Sequence, residues 1–429
     1  DSTKDNLWNT SYQKGTNIIG GSWFGGNFWS DYSGRDLGSG TYPYNTSGDG
    51  VGDTNIPYNA SVVSGGDYLP LTNDNGAITA CQNIYGDTTL TGSITCSGGD
   101  GITILADDIT LDCNGRTITG TGSGSGILVE NRKNIEIKNC QIRNFYYGIK
   151  LVNTVNVDII ENNDIRQNDF YGIYLFNAND TTINDNVIVD DNNGVYMISS
   201  KNTNISNNEI DLHKKFYGIY GYGSTLSDII NNTMKSNYHG IYLVNSDGTT
   251  AASNNITSSD IYNLFLHSGT SNSFFRHNTL STAKEGISIR SSSHSNYFFN
   301  NTITGNSEYG VQSIDSYYNN FVNNTFINNS KTGTYQIYLS NSDYNNFTNN
   351  NLTQSTTGMF VVNSEYLEMF DNNINASDSP SLAINSSSNL EIINNTVWNN
   401  VEIHDAPNSN ISRNLIIQNL SIFNSDTLV

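Results

Sequence analysis

Two short stretches decide the fold: IEIKNCQI at residues 135–142 and VDIIENNDI at 157–165. In each, apolar and polar residues alternate, a turn residue pair follows, and an apolar residue closes the phrase. Alternation at period two marks short strands, and Asn marks the turn between them. The phrase recurs down the chain, ending at Ile142, Ile165, Ile188, Ile210, Met234, Ile256, Leu280, Ile303, Phe326, Leu352, Ile374, Val397 and Ile416. Successive endings lie 22–24 residues apart, except for one gap of 26 and one of 19. Two positions before each ending stands an Asn, from Asn163, Asn186 and Asn208 through to Asn395 and Asn414, and Cys140 holds that place in the first copy. A second phrase runs in phase, Gly followed by apolar–X–apolar, as at Gly126-Ile127, Gly172-Ile173, Gly194-Val195, Gly218-Ile219 and Gly240-Ile241. Asn263, Gln336, Ser381 and Asn400 take the Gly place in other copies.

A period of this length is too short for a pair of helices, and the Leu framework of leucine-rich repeats is missing. The pattern predicts an all-β fold, a right-handed parallel β-helix of about 13 coils with one coil per repeat. Like residues then stack at the strand spacing of about 4.8 Å. The Asn column has a physical cause in that geometry. A side-chain amide both donates and accepts, so stacked Asn can bond along the column, each bond contributing perhaps about 1 kcal/mol net.

Composition narrows the function. Forty acidic residues against 19 basic ones give a net charge of −21, a surface that repels phosphate backbones and so points away from nucleic acid. No apolar run is long enough to span a membrane. The chain opens on Asp1 and not Met, so a processed or cropped chain is expected. Rich polar content would favour disorder, but 11% aromatic residues and regular apolar spacing oppose it.

The repeats resemble the parallel β-helix repeat proteins of the NosD-like and pectin-lyase-like group, especially those of archaeal cell surfaces. The likeness covers residues 77–429, and GITILADDITLDCNGRTITG (101–120) is similar to the entry segment of those β-helices. Residues 1–72 form a different block, Gly-rich and strand-poor, with GGSWFGGNFWSDYSGRD (20–36), GDGVGD (48–53) and GGDYLPL (65–71). It resembles the block that follows the coils in NosD-like surface proteins, but here it precedes them. Two domains are therefore expected, 1–72 and the β-helix 73–429.

An open β-helix end exposes unpaired strand edges. Residues 77–100, with Cys81 and Cys96, are expected to cap the N-terminal end. The chain stops at Val429, 13 residues past Ile416, without a capping segment. The expectation is that residues 1–72 of a second copy cover that end, with Trp23, Phe24, Phe28, Trp29 and Tyr32 as the contact residues. A head-to-tail contact that does not close makes a filament. The function expected first is therefore a structural subunit of an extracellular filament, sheath or surface layer, its partner being itself. A module of a longer tandem chain is the rival explanation of the open end.

Cys113 in ITLDC and Cys140 in IEIKNC occupy equivalent places in successive coils, within disulfide reach, which leaves Cys81 for Cys96. Asn-X-Ser/Thr acceptors for N-linked glycans stand at Asn9, Asn45, Asn59, Asn179, Asn204, Asn231, Asn255, Asn328, Asn346, Asn375, Asn385, Asn410 and Asn419. Four more, Asn300, Asn323, Asn351 and Asn394, complete the set, and Asn300 and Asn323 are expected to be closed off by the ladder beside them. Disulfides and acceptors agree on a place outside the cell.

For chemistry, Asp36, Asp49 and Asp53 in a Gly-rich stretch offer hard oxygen ligands, and Asp49-Gly-Val-Gly-Asp53 resembles the calcium loops of secreted proteins. The NosD resemblance carries a copper association, but His213, His239, His267, His277, His294 and His404 form no H-x-H or Met-rich cluster, so copper is not expected. Nor is catalysis: glycan hydrolysis needs paired carboxylates facing one cleft. The outward strand positions instead read Lys150, Tyr174, Tyr196, Tyr220, Tyr242, Phe265, Ser288, Gln312, Tyr338, Phe360, Ala383 and Glu402. Asp190-Asp191 and His213-Lys214-Lys215 are expected to be solvated turn charges. The aromatic stripe, with a second set at Tyr147, Tyr171, Tyr217 and Tyr238, suits stacking within the chain, lateral subunit contact or sugar stacking. A carbohydrate-binding surface adhesin and a polysaccharide lyase or hydrolase are the two alternatives to the filament.

Overall fold

The computed structural model describes residues 13–14, 23–24, 51–52, 56, 80–159, 162–213, 215–330, 334–377 and 380–425. It is all-β, a right-handed parallel β-helix, and the chain divides into two compact units, residues 1–169 and 170–429. No helix among the described residues is long and apolar enough to cross a membrane.

A single coil of the second unit shows why the sequence folds this way. Its first strand is Tyr217–Tyr222, its second Asp228–Ile230 and its third Thr233–Lys235. Each pairs in parallel with its counterpart one coil on, His239–Val244, Thr250–Ala252 and Asn255–Thr257. Three sheets result, and the pairing repeats down the unit with one register shift, between Leu352 and Ser355. Period-two alternation sends Ile219, Ile229 and Met234 inward, where each is wholly buried. Along the second sheet the inward column becomes a stack of rings, Phe275, Phe298, Phe321 and Phe347, with centroids 5.0, 4.6 and 4.6 Å apart.

The Asn doublets divide two tasks at the corner between second and third strands. The first Asn turns the chain through the left-handed region, as at Asn207 (φ 56°), Asn231 (φ 56°), Asn300 (φ 53°) and Asn323 (φ 57°). Asn tolerates that conformation better than most residues. The second Asn points inward and is buried, and its Oδ1 accepts from the backbone N–H and Nδ2 of the previous coil's Asn. Asn232 Oδ1 thus takes Asn208 N at 2.9 Å and Asn208 Nδ2 at 3.0 Å. The column repeats through Asn254, Asn278, Asn301, Asn324, Asn350, Asn372, Asn395 and Asn414. The Gly phrase answers to a different force, close backbone approach. A Cβ on Gly240 would lie 2.5 Å from Asn263 O, and one on Gly194 2.4 Å from Gly218 O.

The first unit contains the same three-stranded coils. Its first sheet runs Gln82–Ile84, Ile102–Ile104, Ser125–Glu130, Tyr147–Val152. Coils thus start about residue 82, and the stretch expected to cap the helix forms a coil itself, with Gln82–Ile84, Thr88–Thr89 and Ile94–Thr95 as its strands. Both expected cross-links are formed: Cys113–Cys140 with Cα atoms 4.7 Å apart and Cys81–Cys96 with Cα atoms 5.6 Å apart. Gln13–Lys14 pairs antiparallel with Trp23–Phe24. The expected domain boundary after residue 72 lies outside the described residues.

Candidate functional site

The first strand of each coil in the second unit turns one residue away from the core, between two that point into it. In-register pairing aligns these as Tyr174, Tyr196, Tyr220, Tyr242, Phe265, Ser288 and Gln312. The tyrosines of this column are half-buried, while Phe265, Ser288 and Gln312 are covered by their neighbours. Ring centroids are 6.0 Å apart for Tyr174–Tyr196, 4.4 Å for Tyr196–Tyr220, 5.8 Å for Tyr220–Tyr242 and 4.5 Å for Tyr242–Phe265. A second column lies three residues earlier in each strand: Tyr217, His239, Tyr262, Glu285 and Tyr309. The columns interleave, with Tyr217–Tyr220 at 4.7 Å, Tyr171–Tyr196 at 5.0 Å and Tyr262–Phe265 at 4.6 Å. The second set departs from expectation at one coil. His239, not Tyr238, continues the column of Tyr217, and exposed Tyr238 packs edge-on against His239 at 4.6 Å from the preceding turn.

Packing of ring on ring sets the electrostatics. Tyr174, Tyr196, Tyr220 and Tyr242 are half-buried, and burial raises their phenol pKa values, that of Tyr242 to about 12. All four are neutral hydrogen-bonding tips at ordinary pH. Burial lowers His239 to about 4, so it joins the face as a neutral ring stacked 5.0 Å from Tyr262.

The aromatic run ends in a polar edge. Arg290 lies 5.8 Å from the ring centres of both Tyr262 and Phe265, within cation–π range. Its guanidinium donates to Glu285 Oε1 at 3.2 Å, to Ser288 Oγ at 3.0 Å and to Gln312 Oε1. The Glu285 side chain is 5% exposed; burial raises its pKa and Arg290 opposes the rise. Glu308 pairs with Lys284 at 3.1 Å. The face thus offers ring surfaces, phenol tips and a held guanidinium, while its two carboxylates are engaged by cations. Sequence reading missed Arg290 because it belongs to the third outward position of its strand, which the stripe count passed over.

Other singled-out residues fall elsewhere. The expectation of solvated charge at His213 is overturned: it is wholly buried, in the corner column between Asp191 and Asn237. Its ring nitrogens face Asp191 O at 2.9 Å and Ile188 O at 3.1 Å, and burial lowers its pKa to about 4. Asp191 is buried too. Lys214 lies outside the described residues, as do Asp36, Asp49, Asp53, Phe28, Trp29, Tyr32, Asn9, Asn45 and Asn59; of Trp23 and Phe24 only the backbone is described. Among the glycan acceptors Asn231, Asn255, Asn328, Asn375 and Asn419 are exposed, and Asn179, Asn204, Asn346, Asn385 and Asn410 partly so. Asn300, expected to be closed off, is also exposed, because the left-handed turn points it outward while Asn301 fills the ladder.

The chain matches the family described as periplasmic copper-binding protein (NosD) over residues 1–34, 80–276 and 211–336. No curated protein matches it. Among solved structures, it is similar to the surface adhesin PfbA of Streptococcus pneumoniae, with 11% identity, 76% of this chain and 84% of that one covered, and a TM-score of 0.45. DFA-IIIase of Arthrobacter chlorophenolicus, without its lid and in complex with GF2, gives 10% identity, coverage of 67% and 86%, and a TM-score of 0.44. A variant of the periplasmic alginate epimerase AlgG gives 13% identity, coverage of 80% and 79%, and a TM-score of 0.34. At these identities and TM-scores the likeness carries no conclusion about this chain.

Copper, which the family description implies, does not fit the described residues. All four Cys are in disulfides, and no group of three or more His, Cys, Asp or Glu among the described residues could hold a metal ion. Met197, Met234, Met359 and Met369 are core residues, and the His213 nitrogens face carbonyls. Copper needs imidazole or sulfur donors converging on one point.

Proposed function

The chain belongs to the NosD family, and from that premise we propose that it is a non-catalytic protein of an archaeal cell surface that binds carbohydrate through its first-sheet aromatic face. The observation that carries this reading is the interleaved ring run from Tyr171 to Phe265, ending at Arg290. A tyrosine is apolar across its ring and polar at its tip. A row of them meets the C–H face of a sugar with rings and its hydroxyls with phenols. The engagement of Glu285 by Arg290 and Glu308 by Lys284 favours binding over hydrolysis, which calls for two carboxylates flanking a scissile bond. Two disulfides and the exposed glycan acceptors support an extracellular place for the protein, itself carrying N-linked glycans.

The test is titration with oligosaccharides. Replacing Tyr196 and Tyr220 together by Ser is expected to weaken binding about 5- to 150-fold, since each ring contact is worth about 0.5–1.5 kcal/mol. Unchanged affinity, or sugar cleavage by the purified protein, would refute the reading.

A head-to-tail polymer is the second reading. Pairing of Gln13–Lys14 with Trp23–Phe24 supports a small hairpin within residues 1–72, a segment of suitable kind to cover a coil of another copy. Deleting residues 1–72 should abolish filaments in electron micrographs while leaving sugar binding intact. Calcium at Asp36, Asp49 and Asp53 belongs to this second reading, and a chelator that leaves filament length unchanged removes it.

A further inference from the structure

At the entry to the second strand of each coil, one residue turns the chain with positive φ. Asp180 (φ 52°), Asn202 (φ 53°), Gly248 (φ 67°), Asn272 (φ 50°) and Asn389 (φ 55°) are the sort of residue that conformation favours. Three successive coils break the rule with Tyr318 (φ 56°), Tyr344 (φ 56°) and Tyr366 (φ 54°); Leu226 (φ 54°) is the other large side chain in the column. Backbone bonds fix the register, Tyr318 N donating to Asp343 O at 3.2 Å and Tyr344 N to Glu365 O at 2.9 Å. A bulky aromatic held at positive φ is strained, and such strain collects at functional positions.

What the rings do with that strain is visible. Tyr318, Tyr344 and Tyr366 stack with centroids 4.6 Å apart at each step, yet stay 49%, 42% and 43% exposed. They wall an open trough of about 580 Å³ whose other lining residues are Ser295, Asn320, Asn346 and Glu368. In its floor Asn346 Nδ2 donates to Glu368 Oε2 at 3.3 Å, and Asn320 Nδ2 to Tyr318 O at 3.3 Å. Rings on one wall and amides on the floor suit a ligand with both C–H faces and hydroxyls. Glu368 within the trough, and Asp343 and Glu365 beside the tyrosines in sequence, repel an anion; among the described residues no Lys or Arg lines the trough.

We propose that this trough is a second carbohydrate-binding site, separate from the first-sheet face and selective for an uncharged glycan over an acidic one. Tyr344→Asn with Tyr366→Asn tests it, because Asn is what neighbouring coils use at this place and the fold should tolerate it. Wild-type protein and the double variant are titrated with neutral hexasaccharides of glucose, mannose and galactose and with a hexauronate. The expected result is binding of at least one neutral hexasaccharide, no measurable uronate binding through the trough, and at least a tenfold loss in the double variant with its unfolding temperature unchanged or raised. Tyr196→Ser, on the first sheet, should leave that trough binding unaltered, which separates failure here from failure of the reading above. Equal neutral-sugar affinity in the double variant, uronate preferred by the trough, or a marked fall in unfolding temperature overturns the proposal, the last by making the ladder purely structural.

Discussion

Replacing Asn278 by Ala should cost this protein about as much as truncating a buried Leu or Ile, although no apolar contact is its main loss. The Asn278 side chain takes part in four hydrogen bonds: its Oδ1 accepts from Asn254 N at 2.9 Å and Asn254 Nδ2 at 3.0 Å, and its Nδ2 donates to Ala251 O at 2.8 Å and Asn301 Oδ1 at 3.0 Å. Asn254 and Ala251 are each 1% exposed, so water does not replace the lost partner. A buried group left without its partner costs about 1–3 kcal/mol. Counting mainly the Asn254 N–H and the Ala251 carbonyl, the loss should be roughly 2–6 kcal/mol. Asn278→Asp should be worse near neutral pH, because a carboxylate keeps the acceptor but turns an oxygen towards Ala251 O and Asn301 Oδ1. Stacked coils need not unfold in one step. The assay is therefore hydrogen exchange of the Asn254 amide, alongside denaturation followed by circular dichroism. A loss under about 1 kcal/mol with unchanged exchange at Asn254 would mean that the ladder is ornament to an apolar core.

Gly240→Ala should lose about 1–3 kcal/mol by overpacking, since the new Cβ meets Asn263 O and Ile256 Cγ2 at 2.5 Å each; an unchanged melting curve refutes the close-approach account. Acid should destabilise the second unit through His213 and His239, whose pKa values fall from 6.5 to about 4 on folding. Both are neutral when folded, so their stability is present above about pH 6.5 and lost towards pH 4, about 3 kcal/mol apiece. His213→Asn, matching Asn237 in its column, should flatten that pH slope in urea titrations, and an unaltered slope sinks the assignment. Reducing the Cys113–Cys140 bond, which spans 27 residues, should cost roughly 3–4 kcal/mol in a denaturation midpoint compared with and without reductant.

Much of this architecture was legible in the residues because coil, strand and ladder each impose a period. Asn208, Asn232 and Asn254 recur every 22–24 positions, and the fold places them in one column. The stripe Tyr174 to Phe265 was readable for the same reason, alternation fixing which side chains face out. His213 misled because its neighbours Lys214 and Lys215 suggest solvent, whereas an imidazole has a shape and polarity close enough to an amide to fill the corner column. Tyr344 stayed hidden for the opposite reason. Nothing in an aromatic letter announces positive φ, although the shared spelling S-x-Y-N-N-F at 316–321 and 342–347 marks a repeated local job.

The amide column has a direction. From Asn186 to Asn208 to Asn232 and on to Asn414, each Nδ2 gives its proton to the Oδ1 of the coil after it, and no step runs backward. Aligned amides polarise one another, so the column is a one-way wire whose two poles differ in sign. A coil can therefore be copied or deleted whole without disturbing its neighbours' bonding. A coil inserted back to front would set oxygen against oxygen and interrupt the run of bonds.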